Sequence, residues 1–132
     1  MGIRIVRLGS PRFADEGLRV GTVRRPPRGV RREDYATKDY FDVWLPLLAP
    51  QPATIKLVMG NDPESNWSRF VRTYRKEMAV PDTHRVIHLL AAFSANVNFS
   101  VGCYCEQATY CHRTILGELL VEAGALVVSD AD

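Results

Sequence analysis

One strand-to-helix unit restricts the fold more than any other stretch of this chain, and it carries every cysteine. Val97, Phe99 and Val101 alternate with polar or small residues, the two-residue period of a strand. Glu106 to Tyr110 is a short polar connection. From Cys111 onward, Ile115, Leu116, Leu119, Leu120 and Ala123 fall on one helical face, and Gly124 stands where a helix stops. Cys103, Cys105, Cys111, His112 and Arg113 therefore lie at the carboxyl end of a strand and the amino end of the next helix. Open α/β sheets place ligand sites at that junction.

The rest of the chain supplies elements to surround this unit. Ile3 to Leu8 alternates apolar and other residues and predicts a first strand; Leu18 to Arg24 predicts a second. Between Arg25 and Val30, Pro26, Pro27 and Gly29 require a stiff loop. Tyr40, Phe41, Trp44, Leu45 and Leu48 have helical spacing, which predicts a helix over 37–48 that ends or kinks at Pro46. Residues 50–59 predict a short helix with Ile55, Leu57 and Val58 inward. Asp62 and Pro63 form a helix start, as N-cap and first residue, with Glu64 in the first turn. Trp67, Phe70, Val71, Tyr74 and Met78 continue that helix, with Arg69, Arg72, Arg75 and Lys76 on a solvated basic side. Pro81-Asp82-Thr83 opens another helix with Val86, Ile87, Leu89, Leu90 and Phe93 apolar. Ala125 to Val128 predicts a closing strand, and Ser129 to Asp132 a tail. At 132 residues, with no repeat or linker, one domain is expected.

No apolar run approaches the ~20 residues of a membrane span, and Met1 to Arg7 lacks the apolar core of a secretory signal. Three clustered cysteines do not make a disulfide framework. A cytoplasmic location is expected, where such a cluster serves as a metal site or a working thiol. The net charge of +2 conceals an asymmetry. Residues 1–32 hold nine arginines against Asp15 and Glu16, giving +7 there and −5 in the remainder. Arginine suits planar recognition of phosphate or carboxylate, so Arg24, Arg25 and Arg28 on the stiff loop form a candidate anion clamp. A solvated basic face is the alternative.

Three chemistries compete for the cysteine cluster. With Thr109 as N-cap, Cys111 lies in the first helical turn, where unpaired N–H groups favour a thiolate. His112 then serves as base or acid and Arg113 adds positive charge. Cys103 or Cys105 could resolve an oxidised Cys111. Alternatively Cys103, Cys105, Cys111 and His112 offer zinc four ligands, although Cys-x-Cys is tighter than the usual spacing and adjacent Cys111 and His112 seldom share an ion. Simple packing of cysteine is the third reading. A phosphatase loop is excluded: it needs Arg six positions after Cys, where this chain has Thr109 and Cys111. His84 and His88 have ligand spacing but lack a third partner nearby and read as helix-surface residues.

Cys103-Tyr104-Cys105-Glu106, then Cys111-His112-Arg113 and the helix Ile115 to Leu120, resemble the bacterial and archaeal family of domain of unknown function 488. Val23 to Gly29 is similar to that family's Asp-Arg-x-Trp-Pro-Arg-Gly segment, with Val23 in place of Asp and Pro26 in place of Trp. Phe70, Tyr74 and Glu77 match the Phe-x3-Tyr-x2-Glu of its short members. Some short relatives keep the His of Cys-His-Arg without the Cys, which gives His112 and the arginines more weight than Cys111. The resemblance implies a small α/β domain with a mostly parallel sheet flanked by helices.

The expected function is an anion-binding site built from Arg24, Arg25, Arg28, His112, Arg113 and the start of the Cys111 helix, with Cys111 as reactive thiol. Its ligand would be a small phosphate-, sulfate- or carboxylate-bearing molecule. A nucleic-acid or nucleotide-binding module using the Arg-rich third, and a zinc protein, are the alternatives.

Overall fold

The computed structural model describes residues 2–128. Its centre is a four-stranded, entirely parallel sheet with spatial order β1-β4-β2-β3. β1 is Ile3–Arg7, β2 Leu18–Gly21, β3 Val43–Trp44 and β4 Phe99–Cys103. β4 is buried at all five residues because it pairs on both sides, Ile5 and Val20 both standing opposite Val101. Its near-continuous apolar and small residues are what a central parallel strand requires. Four α-helices accompany the sheet: α1 (Pro52–Ile55), α2 (Pro63–Met78), α3 (Pro81–Phe93) and α4 (His112–Glu122). The α/β class expected from the sequence is the one observed, in a single compact unit.

The strand period separates two sheet faces. Ile3, Val20, Phe99 and Val101 pack in one core with Phe70, Tyr74 and Met78 of α2, Ile87 of α3, and Ile115, Leu116 and Leu120 of α4. Gly117 of α4 faces Ile5 of β1, where an added Cβ would make an ordinary contact at 3.4 Å. Arg19, Gly21, Ser100 and Gly102 occupy the other face, beneath the loops on either side of β2. Phe41 packs so tightly on Gly21 that an added Cβ would stand 2.4 Å from its ring. Arg19 is wholly buried there and forks onto Glu16, Nε to Oε2 at 2.7 Å and Nη2 to Oε1 at 2.9 Å. Its Nη1 donates to the carbonyls of Ser10 and Asp39. Phe13 N–H and Ser100 Oγ donate to Glu16. Among the described residues no buried side-chain nitrogen or oxygen is left unpaired.

The helix expected over 37–48 does not form. Asp39 has φ of 63°, which a right-handed helix cannot contain. Phe41 covers Gly21, Asp42 caps the Arg19 N–H at 2.8 Å, and Val43–Trp44 joins the sheet edge as β3. A 3-10 turn over Pro46–Leu48 follows. The aromatic spacing marked buried residues correctly at Phe41 and Leu48, but tertiary pairing overrode the helical period.

Elsewhere the differences are smaller. β2 ends at Gly21, although Thr22 N–H still donates to the Gly102 carbonyl at 3.0 Å. Val97 is exposed and precedes β4. Of the apolar residues of α3, Ile87 is buried while Leu89 and Phe93 are exposed. Residues 50–59 form α1 and a 3-10 turn over Lys56–Val58. Asp62 caps α2 as expected, accepting from the Ser65 N–H. Gly124, at φ of 98°, ends α4. The closing strand is reduced to a parallel bridge between Ile3 and Val127. The tail expected from Ser129 lies outside the described residues. Among the described residues no helix is long and apolar enough to cross a membrane.

Candidate functional site

The carboxyl end of β4 delivers Cys103 and the following turn delivers Cys105. Tyr110, with φ of 61°, stops a helix from starting before it, so Cys111 itself, not Thr109, is the N-cap of α4. Thr109 is exposed, and His112 and Arg113 are the first two helical residues. Cys103 and Cys111 are each 2% exposed, whereas Cys105 is open to solvent; all three are free thiols. The Sγ atoms of Cys103 and Cys111 and a ring nitrogen of His112 lie within 4.8 Å of one another. Adjacent Cys111 and His112 thus do converge, because a cap residue and the first helical residue leave the backbone in different directions.

The polar partners of these groups come from the chain on both sides. His112 Nε2 lies 2.7 Å from the carbonyl of Thr22. A carbonyl can only accept, so Nε2 carries the proton and Nδ1 keeps the lone pair. Burial lowers the His112 pKa and holds the ring neutral. Tyr74 sets its ring edge-on to the imidazole at 5.6 Å while its hydroxyl donates to the Leu48 carbonyl. Arg113 is 6% exposed. Its Nη1 donates to the Cys105 carbonyl at 2.6 Å and stands 3.5 Å from Cys103 Sγ and 3.8 Å from Cys111 Sγ. It has no carboxylate partner among the described residues. A buried guanidinium is costly without a negative partner, and the thiols are the groups touching it that can ionise. The hydrogen bonds of Cys105 and then Cys111 hold the Cys103 thiol below the ordinary range. Hydrogen bonding to the Cys103 sulfur pushes Cys111 and Cys105 upward.

Apolar side chains enclose Cys103 and Cys111. Leu8, Val23 and Phe41 pack with Cys103 and Cys111, with Tyr35, Tyr40 and Tyr104 at the margin. The Tyr104 hydroxyl donates to the Arg25 carbonyl at 2.8 Å, and burial pushes its pKa up.

The arginine loop reaches this centre through its backbone. Thr22 and Arg25 offer carbonyls to His112 and Tyr104. The guanidinium of Arg24 is taken up by the carbonyls of Ala49 and Pro50, at 2.9 to 3.2 Å. Arg25 and Arg28 are exposed, with no ion pair among the described residues. Much of the basic N-terminal third is structural: Arg19 holds Glu16, Arg12 holds Asp39 and Asp42, and Arg4 pairs with Asp15 over the Phe13 ring. His84 and His88 lie on the surface of α3 with ring centroids 4.4 Å apart. The sequence reading missed Thr22 and Tyr74 as parts of the site. Thr22 acts through its carbonyl, which leaves no mark in a sequence, while Tyr74 stood out as a core position and in the Phe-x3-Tyr-x2-Glu match, without a link to the cysteines.

Fold and centre together define a small parallel α/β protein with a buried thiol–imidazole–guanidinium cluster at the strand ends. Residues 3–124 match the family described as "Active DUF488-N3 subclade", and the chain belongs to the DUF488 family. Neither the curated proteins nor the solved structures yield a match to it.

Proposed function

We propose that this protein is a metal-dependent enzyme whose cluster binds a zinc-class ion and acts on a small anionic molecule. The convergence of Cys103, Cys111 and His112 donor atoms within 4.8 Å carries the reading. Two thiolates and a neutral imidazole are a donor set for zinc. Thr22 orients His112 so that Nδ1 keeps its lone pair, the outer-shell arrangement that ligating histidines use. Arg113 would offset the negative charge of the thiolates. Cys105 is exposed and outside that group of donor atoms, which leaves the fourth position to water. An ion held there would supply a Lewis acid and an activated water. Exposed Arg25 and Arg28 lie on the loop that Tyr104 pins beside the centre and suit an anionic substrate. The family description, active, agrees with a working centre. A reducing cytoplasm suits the three unpaired thiols.

A metal-free thiol enzyme is the second reading, favoured by Arg113 standing 3.5 Å from Cys103 Sγ. In that case Cys103 rather than Cys111 carries the thiolate. Native mass spectrometry and cobalt substitution of untagged, reduced protein separate the two. One bound ion per chain, with sulfur-to-cobalt charge-transfer absorption lost in Cys103→Ser, supports the metal centre. No ion retained after incubation with zinc, together with a thiol that alkylates rapidly at pH 7 and is lost in Cys103→Ser, establishes the thiol enzyme instead.

A further inference from the structure

A cleft of about 450 Å³ opens beside the edge strand β3, lined among others by Pro26, Arg32, Tyr35, Phe41, Asp42 and Trp44. It adjoins the cysteine centre, since Phe41 belongs both to the cleft and to the cluster around Cys103 and Cys111. We propose that this cleft binds a nucleoside monophosphate, its base against the aromatic wall and its phosphate at Arg32.

The aromatic wall is held in place. Trp44 is 42% exposed, yet its indole N–H donates to the Val23 carbonyl at 2.7 Å. Tyr35 and Phe41 meet edge to face, with centroids 5.2 Å apart. A half-exposed indole anchored at its nitrogen offers a π-face without needing to be ordered on binding. Every base can stack on such a face.

Charge at the rim selects an anion. Both cleft carboxylates are engaged: Asp42 by Arg12 at 2.7 Å and by the Arg19 N–H, and Glu33 by Arg31 at 3.5 Å. Arg32 has no ion pair among the described residues and is exposed, as are Arg25 and Arg28 on the loop of Pro26. A half-exposed indole with cations at its rim is complementary to an aromatic ring bearing a phosphate. The volume is within the range of small-ligand sites. This inference stands on the cleft alone and does not require a metal.

Isothermal titration with the four ribonucleoside monophosphates tests it, using metal-stripped and zinc-loaded protein in parallel. Saturable binding of at least one nucleotide is expected, with a Kd on the order of 1 mM or tighter. Arg32→Ala and Trp44→Phe should each weaken it, about tenfold for the arginine. Arg32 is at the surface, so that variant keeps the fold, checked by circular dichroism. Ribose 5-phosphate and phenyl phosphate serve as controls. Absence of saturable heat in both forms of the protein overturns the proposal. So does equal affinity for ribose 5-phosphate, which would mean a bare anion site, or for phenyl phosphate, which would mean a general aromatic-anion site. Binding unchanged in Arg32→Ala and Trp44→Phe overturns it as well. None of these results alters the metal stoichiometry on which the reading of the cysteine centre depends.

Discussion

Arg113 and Cys103 meet inside the protein, Nη1 to Sγ at 3.5 Å, with the same nitrogen bonded to the Cys105 carbonyl at 2.6 Å. The guanidinium thereby links the end of β4 to the start of α4 and sets a positive charge against the thiols. At 6% exposure its charge faces the sulfurs rather than solvent.

Replacing Arg113 by Gln removes that charge and keeps one donor group. In the proposed metal centre, metal affinity should fall about 10- to 100-fold, the usual effect of losing an outer-shell partner. Arg113→Lys should recover part of it. Competition with a chromophoric chelator measures both variants, and wild-type affinity in Arg113→Gln would refute the assignment.

The Glu16–Arg19 pair predicts how stability responds to acid. Hydrogen bonds from Arg19, then Ser100 and Phe13, outweigh burial and hold the Glu16 carboxyl below its ordinary 4.5. A carboxyl with a lowered folded pKa stabilises fully above its unfolded pKa and loses that contribution as pH falls through the folded value. The urea midpoint should therefore be insensitive to Glu16 above about pH 5 and decline below about 4.5. Glu16→Gln strands a buried Arg19 and should cost about 3–5 kcal/mol at neutral pH. Its stability should vary less with pH in the acid range than that of the wild type.

Gly102 sits between β1 and β2, one residue before Cys103. A Cβ there would stand 2.4 Å from the Val6 carbonyl oxygen and 2.9 Å from Val6 Cγ2. Since the obstacle includes backbone, the strands must separate. Gly102→Ala should destabilise by about 1–3 kcal/mol and also weaken metal binding by shifting Cys103. Thermal unfolding and metal titration of the same sample check both effects.

Tyr74 donates its hydroxyl to the Leu48 carbonyl at 2.8 Å within the core. Tyr74→Phe keeps the ring beside His112 and leaves that acceptor without its phenolic donor. A loss of about 1–3 kcal/mol in chemical denaturation is expected, with metal stoichiometry unchanged.

Local chemistry explains why much of this fold could be read in advance. Asp62-Pro63 starts α2 because a cap side chain and a pre-set φ act within one turn. Phe99 and Val101 show the period of β4, though Val97 before them lies outside it, and Gly124 ends α4, for reasons contained in a few adjacent residues. The region around Tyr40 and Trp44 was misread because two partners distant in sequence decide it. Gly21 receives Phe41, and β2 pairs with β3.

By itself the sequence determined the α/β class, the helices from Pro63 onward, and the place where the cysteines gather, because periodicity, capping and residue type are local properties. Only the tertiary structure decided how those groups are used. It assigned Arg24 to two carbonyls, buried Arg113 among sulfurs, and turned His112 toward Thr22. Backbone carbonyls are alike at every residue, so which of them meets a guanidinium or an imidazole depends on how the whole chain closes around the sheet.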